Sequence, residues 1–516
     1  MTSSIFAPGH NCWRVERADR FAVIVDAADY FRAVRDAMLE AREQIILVGW
    51  DVDPRILLDP ESTDGDTPNC LADFIPWLAK RRPDLKISLL IWNMGALKML
   101  LRGSAIWTLL RWRMAKHIDI RFDGSHPIGA THHQKIVVID DSLAFCGGID
   151  MTGDRWDTSG HIDEDPHRIR PSGRPYMAWH DTTGAVDGEA AATLGLLARE
   201  RWQRATGRTL PTPVRHGATW PNWLEPMVRD ADVAIARTVP KSPKIDEARE
   251  IEALYVDMIA RARRFIYADN QYFASRRIAE AMAHRLDEPD GPEIVIVNPE
   301  SADGWLQEKA MGSARCELMF ALFDVDKDDD RFQIYTPVTK AGKPIYVHSK
   351  LLIVDDCILR VGSSNMNNRS MGLDSECDVA IERGDADNPD PAISALRERL
   401  MAEHLGTTTE IVAAAFADSG SLVATVEALR GRGKTLLPFE PKPLAGATLA
   451  LGASELLDPE SVDERFEPLS NRGLFRGFLR RGTRQFVGHM RERRRRRRER
   501  NRGRWRKRLR HLLHRD

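Results

Sequence analysis

The chain has 516 residues, 43% hydrophobic and 29% charged. That is the make-up of a soluble globular protein long enough for two domains, and with no apolar run near the roughly 18 to 20 residues of a membrane-spanning helix and no apolar block at the N-terminus, a cytoplasmic protein is expected. Six scattered cysteines (Cys12, Cys70, Cys146, Cys316, Cys357, Cys377) form no CxxC pair and no Cys/His cluster at zinc spacing, so they read as reduced structural thiols, with neither a disulfide framework nor a metal site.

In chain order, Phe31, Val34, Met38 and Ala41 share one face of a helix that leads into the apolar run IILVGWDVD (45–53), a strand. The helix-like LADFIPWLAKRR then leads to the strand ISLLIW (87–92). A polar insert over 153–176 has no sustained period and reads either as a loop walling a substrate pocket or as a solvated surface loop. The Pro-, Gly- and Thr-rich stretch 206–226 reads as a connection, with a domain boundary near residue 212.

Beyond residue 245 the plan repeats. Ile251, Leu254, Tyr255 and Met258 share a helical face before FIYADNQYF (265–273), and IAEAMAHRL leads to EIVIVN (293–298). Repetition over more than 200 residues predicts a duplicated α/β domain. The expected division is 1–212 and 213–415, then an extension over 416–471 with little core character, then a basic tail over 472–516. From Arg472 to Asp516 there are 20 basic against 3 acidic residues, so a tail about 17 positive follows a body about 18 negative, and a partner with an anionic surface is expected.

Each half ends in the same motif. ATHHQKIVVIDD carries His133, Lys135 and Asp140, followed by Gly147 and Gly148; YVHSKLLIVDD carries His348, Lys350 and Asp355, followed by Gly362, Ser363, Ser364 and Asn365. These six make up the candidate catalytic set. Alternation along a strand puts each His and Lys on one side, so an imidazole and an ammonium converge. Each Asp lies off that parity and is cast as a hydrogen-bonding group rather than a nucleophile. His126, His132 and His180 have no partner at metal-ligand spacing and read as pocket-wall or surface groups.

Two HxKxxxxD motifs, each leading to a strand and a small-residue turn, resemble those of the phospholipase D superfamily, and the match covers about residues 20 to 415. IEALYVDMIARARRFIYADNQYF and GSSNMNNRSMGLDSE further resemble bacterial phosphatidylcholine-hydrolysing members. The resemblance implies two similar α/β sandwich domains related by a pseudo-twofold axis around one site. It implies that one histidine forms a covalent phosphohistidine while the other serves as acid and base, with His133 as nucleophile and His348 as acid/base, the exchanged assignment staying open. Lys135, Lys350 and Asn365 would hold the phosphoryl oxygens and supply the charge a metal otherwise provides, so no metal or cofactor is expected. The first-half counterpart of Asn365 is Asp150, a departure from symmetry that leaves Asp150 outside the set. Asp181 and Glu376 resemble acidic residues that orient the opposite catalytic histidine.

The expected reaction is hydrolysis of phosphatidylcholine-like lipids to phosphatidic acid, with transfer to other alcohols as a natural variant. The alternatives are a cardiolipin synthase-like phosphatidyltransferase, a nuclease of the same superfamily and a non-catalytic membrane scaffold. In the tail, Leu474, Phe475, Phe478, Leu479, Phe486 and Val487 interleave with arginines, which suits peripheral attachment to an anionic membrane. Nucleic acid is a second candidate partner, and a solvated tail a third reading. The oligomeric state is open, a monomer being compatible with a site complete in one chain.

Overall fold

Each half of the chain lays amphipathic helices between apolar strands. A computed structural model describes residues 4–93, 104–127, 129–214, 220–243, 245–301, 305–326 and 330–440; the extension beyond 440 and the Arg-rich tail lie outside them. The first half contains β1 (Arg14–Val25), β2 (Gln44–Gly49), β3 (Lys86–Trp92), β4 (Ile118–Asp123), β5 (Ile136–Ile139), β6 (Leu143–Gly147), β7 (Trp179–His180) and β8 (Thr182–Asp187). The second contains β9 (Val228–Val239), β10 (Ala248–Arg249), β11 (Phe265–Asn270), β12 (Glu293–Val297), β13 (Phe332–Val338), β14 (Tyr346–Val347), β15 (Lys350–Val354), β16 (Ile358–Gly362) and β17 (Glu376–Glu382), then the hairpin β18 (Gly384–Asp385) and β19 (Asn388–Pro389), and finally β20 (Thr435–Pro438).

One mixed sheet runs through both halves in the order β20-β13-β12-β11-β15-β16-β17-β9-β1-β8-β6-β5-β2-β3-β4. From the central antiparallel pair β1/β9, the two halves read outward with the same succession of antiparallel strands and then parallel ones. Residues alternate between layers: Ile45 and Leu47 of β2 pack with Phe31, Val34 and Met38 of the helix Ala27–Glu40, while Ile46 and Val48 join a core on the other face. That second core is continuous across the halves, taking in Leu194, Leu197 and Trp202 of the helix Gly188–Thr206 and Ile393, Leu396 and Leu400 of the helix Pro391–Leu405. Helices on both faces of a sheet make this a layered α/β fold. No described helix is long and apolar enough to cross a membrane.

The sheet does not stop at residue 415. The helices Thr409–Ser419 and Leu422–Leu429 bring the chain back so that β20 pairs antiparallel with β13, burying Val412, Leu422, Val426 and Leu436 in the shared core. The stretch from 416 reads in sequence as having little core character; Pro438 ends the strand, and an edge strand is where proline is tolerated.

The motif aspartates build the corners that hold the motif strands. Asp140 accepts hydrogen bonds from the backbone N–H groups of Arg42, Glu43 and Gln44 at 2.7, 2.9 and 2.7 Å. Asp355 does the same for Arg263, Arg264 and Phe265 at 2.6, 2.8 and 2.8 Å. The next residues repeat the symmetry, Asp141 forming a two-pronged ion pair with Arg199 and Asp356 with Arg397. All four aspartates hold positive φ, between 49° and 56°, a region that Asp enters more readily than most residues. Asp140→Ala and Asp355→Ala leave three backbone donors without their acceptor, and urea unfolding should show each losing about 3 kcal/mol. A loss below about 0.5 kcal/mol in either would mean that the corner is held by the arginine pairs instead.

Candidate active site

Each histidine segment lies against the other half of the chain. The His133 N–H donates to Ser375 O at 3.0 Å and the His348 N–H to His180 O at 2.7 Å, so each motif is tied to the residue that precedes the other half's acidic group. The side chains complete the exchange. His133 Nδ1 lies 3.1 Å from both Glu376 carboxylate oxygens and 3.1 Å from Ser363 O, and His348 Nδ1 lies 2.7 Å from Asp181 Oδ2. Glu376 is fixed by the Ser363 and Ser370 hydroxyls at 2.5 and 2.7 Å. Donation from Nδ1 selects the tautomer with a lone pair on Nε2 and leaves that atom for chemistry. A small-residue turn must follow the first motif strand, because a Cβ on Gly148 would sit 2.1 Å from Asp181 Oδ1.

The lysines are buried beside the histidines. Lys135 Nζ donates to His133 O at 3.0 Å and pairs with Asp150 Oδ2 at 3.1 Å. Lys350 Nζ donates to His348 O and to Gln271 Oε1, the latter at 3.1 Å. Asp150, set aside in the sequence analysis, thus sits at the centre of the first-half arrangement and also accepts the Trp50 N–H at 3.0 Å. Asn365 is buried with no hydrogen bond on Oδ1 among the described residues. Asp140 and Asp355 stay at the corners and do not join the histidines.

Aromatic rings flank the histidines. Trp179 stacks on Tyr346 at 4.5 Å and lies 5.2 Å from the His348 ring, and Trp50 stacks on Trp92 at 5.7 Å, with the Trp92 indole N–H donating to His126. The 153–176 insert supplies Arg155, whose guanidinium lies 4.2 Å over Trp179. His132 is buried between Asp123 and Ser375, and burial pushes it down to about 4. His180 is fully buried behind Asp181, neither pocket wall nor surface. Sequence spacing could not reveal Arg155 or His180, because their partners lie on distant segments.

Burial holds His133 well below the ordinary histidine range, with Lys135 and Lys350 adding to the effect. His348 is lowered in the same way, by burial and then by Lys350 and Arg155. Lys350 is pushed down to about 7 by burial, against the pull of Asp181. Glu376 and Asp181 are raised, again by burial. The site therefore holds neutral imidazoles among cations that lack full hydration, an environment that favours an incoming anion.

A layered α/β protein with two reciprocally paired HxK segments defines the class. The family model for phospholipase D matches residues 325–437, which include the second motif. Phospholipase D alpha 1 of Cynara cardunculus is 25% identical over 49% of this chain and 45% of its own length. Phospholipase D A of Dictyostelium discoideum is 25% identical over 78% of this chain and 37% of its own length, and phospholipase D1 of Saccharomyces cerevisiae 23% identical over 75% and 29%. The chain thus spans less than half the length of these curated relatives. Among solved structures, phosphatidylserine synthase of Haemophilus influenzae superposes with a TM-score of 0.49 at 13% identity, covering 76% of this chain and 95% of that one. The chain is thus similar to phospholipases D over as much as 78% of its length, and the region matched by the family model contains the second motif.

The tautomers can be tested without substrate. Imidazole 15N NMR should show His133 and His348 protonated on Nδ1, and Glu376→Gln, which can present an amide N–H to Nδ1, should move the His133 proton to Nε2 while leaving His348 unchanged. An unchanged His133 spectrum would show that Ser363 O alone sets the tautomer.

Proposed function

We propose that the chain is a phospholipase D-type phosphodiesterase that removes the head group of phosphatidylcholine-like lipids. The observation that carries this reading is the reciprocal arrangement of two buried histidines, each oriented by a carboxylate of the other half and accompanied by its lysine. In the proposed reaction His133 Nε2 attacks phosphorus, the bond from phosphorus to the head-group oxygen breaks, and His348 gives that oxygen its proton. Water then attacks the phosphohistidine, His348 takes its proton, the P–N bond breaks, and phosphatidic acid leaves. An alcohol in place of water gives transphosphatidylation.

Lys135, Lys350 and Asn365 would hold the non-bridging oxygens. A bound phosphodiester also explains how His348 gains its proton, since the substrate's negative charge offsets the lysines that depress it. The Arg-rich tail, 472–516, fits attachment to an anionic membrane, and its removal should abolish co-sedimentation with anionic liposomes; unchanged binding would eliminate that role.

Head-group release from mixed phospholipid vesicles in EDTA should fall by a factor of about 1,000 or more in both His133→Ala and His348→Ala, with covalent phosphate trapped on His133 in the His348 variant. No release from any lipid, with degradation of single-stranded DNA instead, would point to the nuclease alternative. Because His133 is held well below 6.5, the free enzyme keeps its nucleophile unprotonated above that pH. The acid limb of kcat/KM assigned to His133 should therefore lie below pH 6.5, and a limb at or above 6.5 that is lost with His133 would contradict the buried, lysine-flanked environment.

A further inference from the structure

Behind the Asp181–His348 pair lies a group of buried side chains that the proposed reaction does not use. Asp26, His161, His180 and Glu403 are at most 8% exposed, and one ligand atom from each falls within 4.8 Å of the others. We propose that these four residues bind one divalent ion of the zinc class, a structural ion separate from the histidine–lysine chemistry.

The first argument is geometric. Glu403 Oε1 lies 2.9 Å from His161 Nε2 and 2.7 Å from His180 Nδ1, while Asp26 oxygens lie 3.3 Å from His180 Nδ1 and 3.9 Å from His161 Nε2. A tetrahedron with edges of about 3.3 Å has its centre about 2 Å from each corner, the length of a zinc–nitrogen or zinc–oxygen bond. The second argument is that neither ring nitrogen of fully buried His180 makes a hydrogen bond in this arrangement, although carboxylates surround it, and Glu403 Oε2 has none either. His161 Nε2 does bond Glu403 Oε1, but His180 and Glu403 Oε2, held this close to their neighbours without hydrogen-bond geometry, suit a shared central cation.

The third argument lies one step outward. Metal-bound imidazoles usually give their other N–H to a carboxylate that is itself held in place. His161 Nδ1 is 2.9 Å from Asp157 Oδ2, and Asp157 is held by Arg168 and the Trp179 N–H. His180 Nε2 lies 3.3 Å from Asp269 Oδ2, close enough for a small turn of the ring to supply the same contact, and Asp269 is held by the Tyr267 hydroxyl and His404. Two imidazoles and two carboxylates suit zinc better than calcium or magnesium, which take six or more oxygen ligands.

Such an ion would fasten four separated segments: the start of the helix Ala27–Glu40, the 153–176 insert, β7 and the helix Pro391–Leu405 of the other half. It would also stiffen the catalytic pair, since the Asp26 N–H donates to Asp181 O at 2.8 Å and His180 O accepts the His348 N–H.

The experiment is metal analysis of the tag-free full chain, produced in zinc-supplemented medium and exchanged into EDTA buffer. About one zinc per chain is expected, retained in His10→Ala and reduced at least about fivefold in His161→Ala and Glu403→Gln. Should either variant fail to fold, wild type produced with cobalt must show the visible bands of a four-coordinate site without thiolate charge transfer, and native zinc must be released only on unfolding in guanidinium. Wild type with less than about 0.1 ion per chain, an ion retained by both variants, or a thiolate-type cobalt spectrum would each overturn the proposal, the first leaving a network of protonated histidines in its place. A buried ion survives the EDTA of the head-group assay, so the two experiments fail independently.

Discussion

The constraint on which the site depends is the parallel pairing of each histidine segment with a segment of the opposite half. β14 runs beside β7, Tyr346 opposite Trp179 and Val347 opposite His180, and His132 is bridged to Ser375. These contacts are short, but they place Asp181 on His348 and Glu376 on His133. Each motif histidine takes its orienting carboxylate from the other half. The long β1/β9 pairing and the core shared by helices of both halves therefore help to assemble the candidate site, because they hold the two halves at the register where the exchange occurs.

That exchange concentrates charge where water is scarce. Lys135, Lys350, Asp150, Asp181 and Glu376 are each at most 4% exposed, and burying ions costs several kcal/mol apiece unless partners compensate. The partners here are serine hydroxyls, backbone amides and opposite charges fixed by strand ends. Dipoles already oriented need no rearrangement when an anion arrives, which is how a site built from side chains can stabilise a transferring phosphoryl group.

How much of this the sequence discloses follows from distance along the chain. Helix faces such as Ile251, Leu254, Tyr255 and Met258 and the strands they precede are local patterns, and the structure places them as read. The two motifs were visible because His and Lys sit two residues apart. What escaped was assembled from afar: Asp150 against Lys135, Arg155 over Trp179, and a buried cluster drawn from residues 26, 161, 180 and 403. Residue spacing carries no signal for such contacts. His180 looked like a wall or surface group because a histidine next to an aspartate says nothing of the segments that close over it. β20 escaped for the same reason: it lies within a stretch that reads as having little core character, and its pairing partner β13 lies about 100 residues earlier.

The two halves share a succession of strands and differ in the charge beside each lysine. Lys135 has a carboxylate partner in Asp150, whereas the equivalent position beyond the second motif is the amide Asn365 and Lys350 faces the neutral Gln271. Burial without a carboxylate in direct contact brings Lys350 down to about 7, so an arriving phosphodiester would gain more on the second-half side, where it restores full charge to that lysine and meets Arg155 as well. A fully symmetric site would accept a phosphodiester equally well in two orientations, one of which presents the acyl chains where the head group must leave. One amide in place of one carboxylate would remove that degeneracy without a change of strands, corners or histidines. The repeated strand plan thus brings the two histidines together, and on the proposed reaction the difference in charge between the halves would favour one orientation of the phosphodiester.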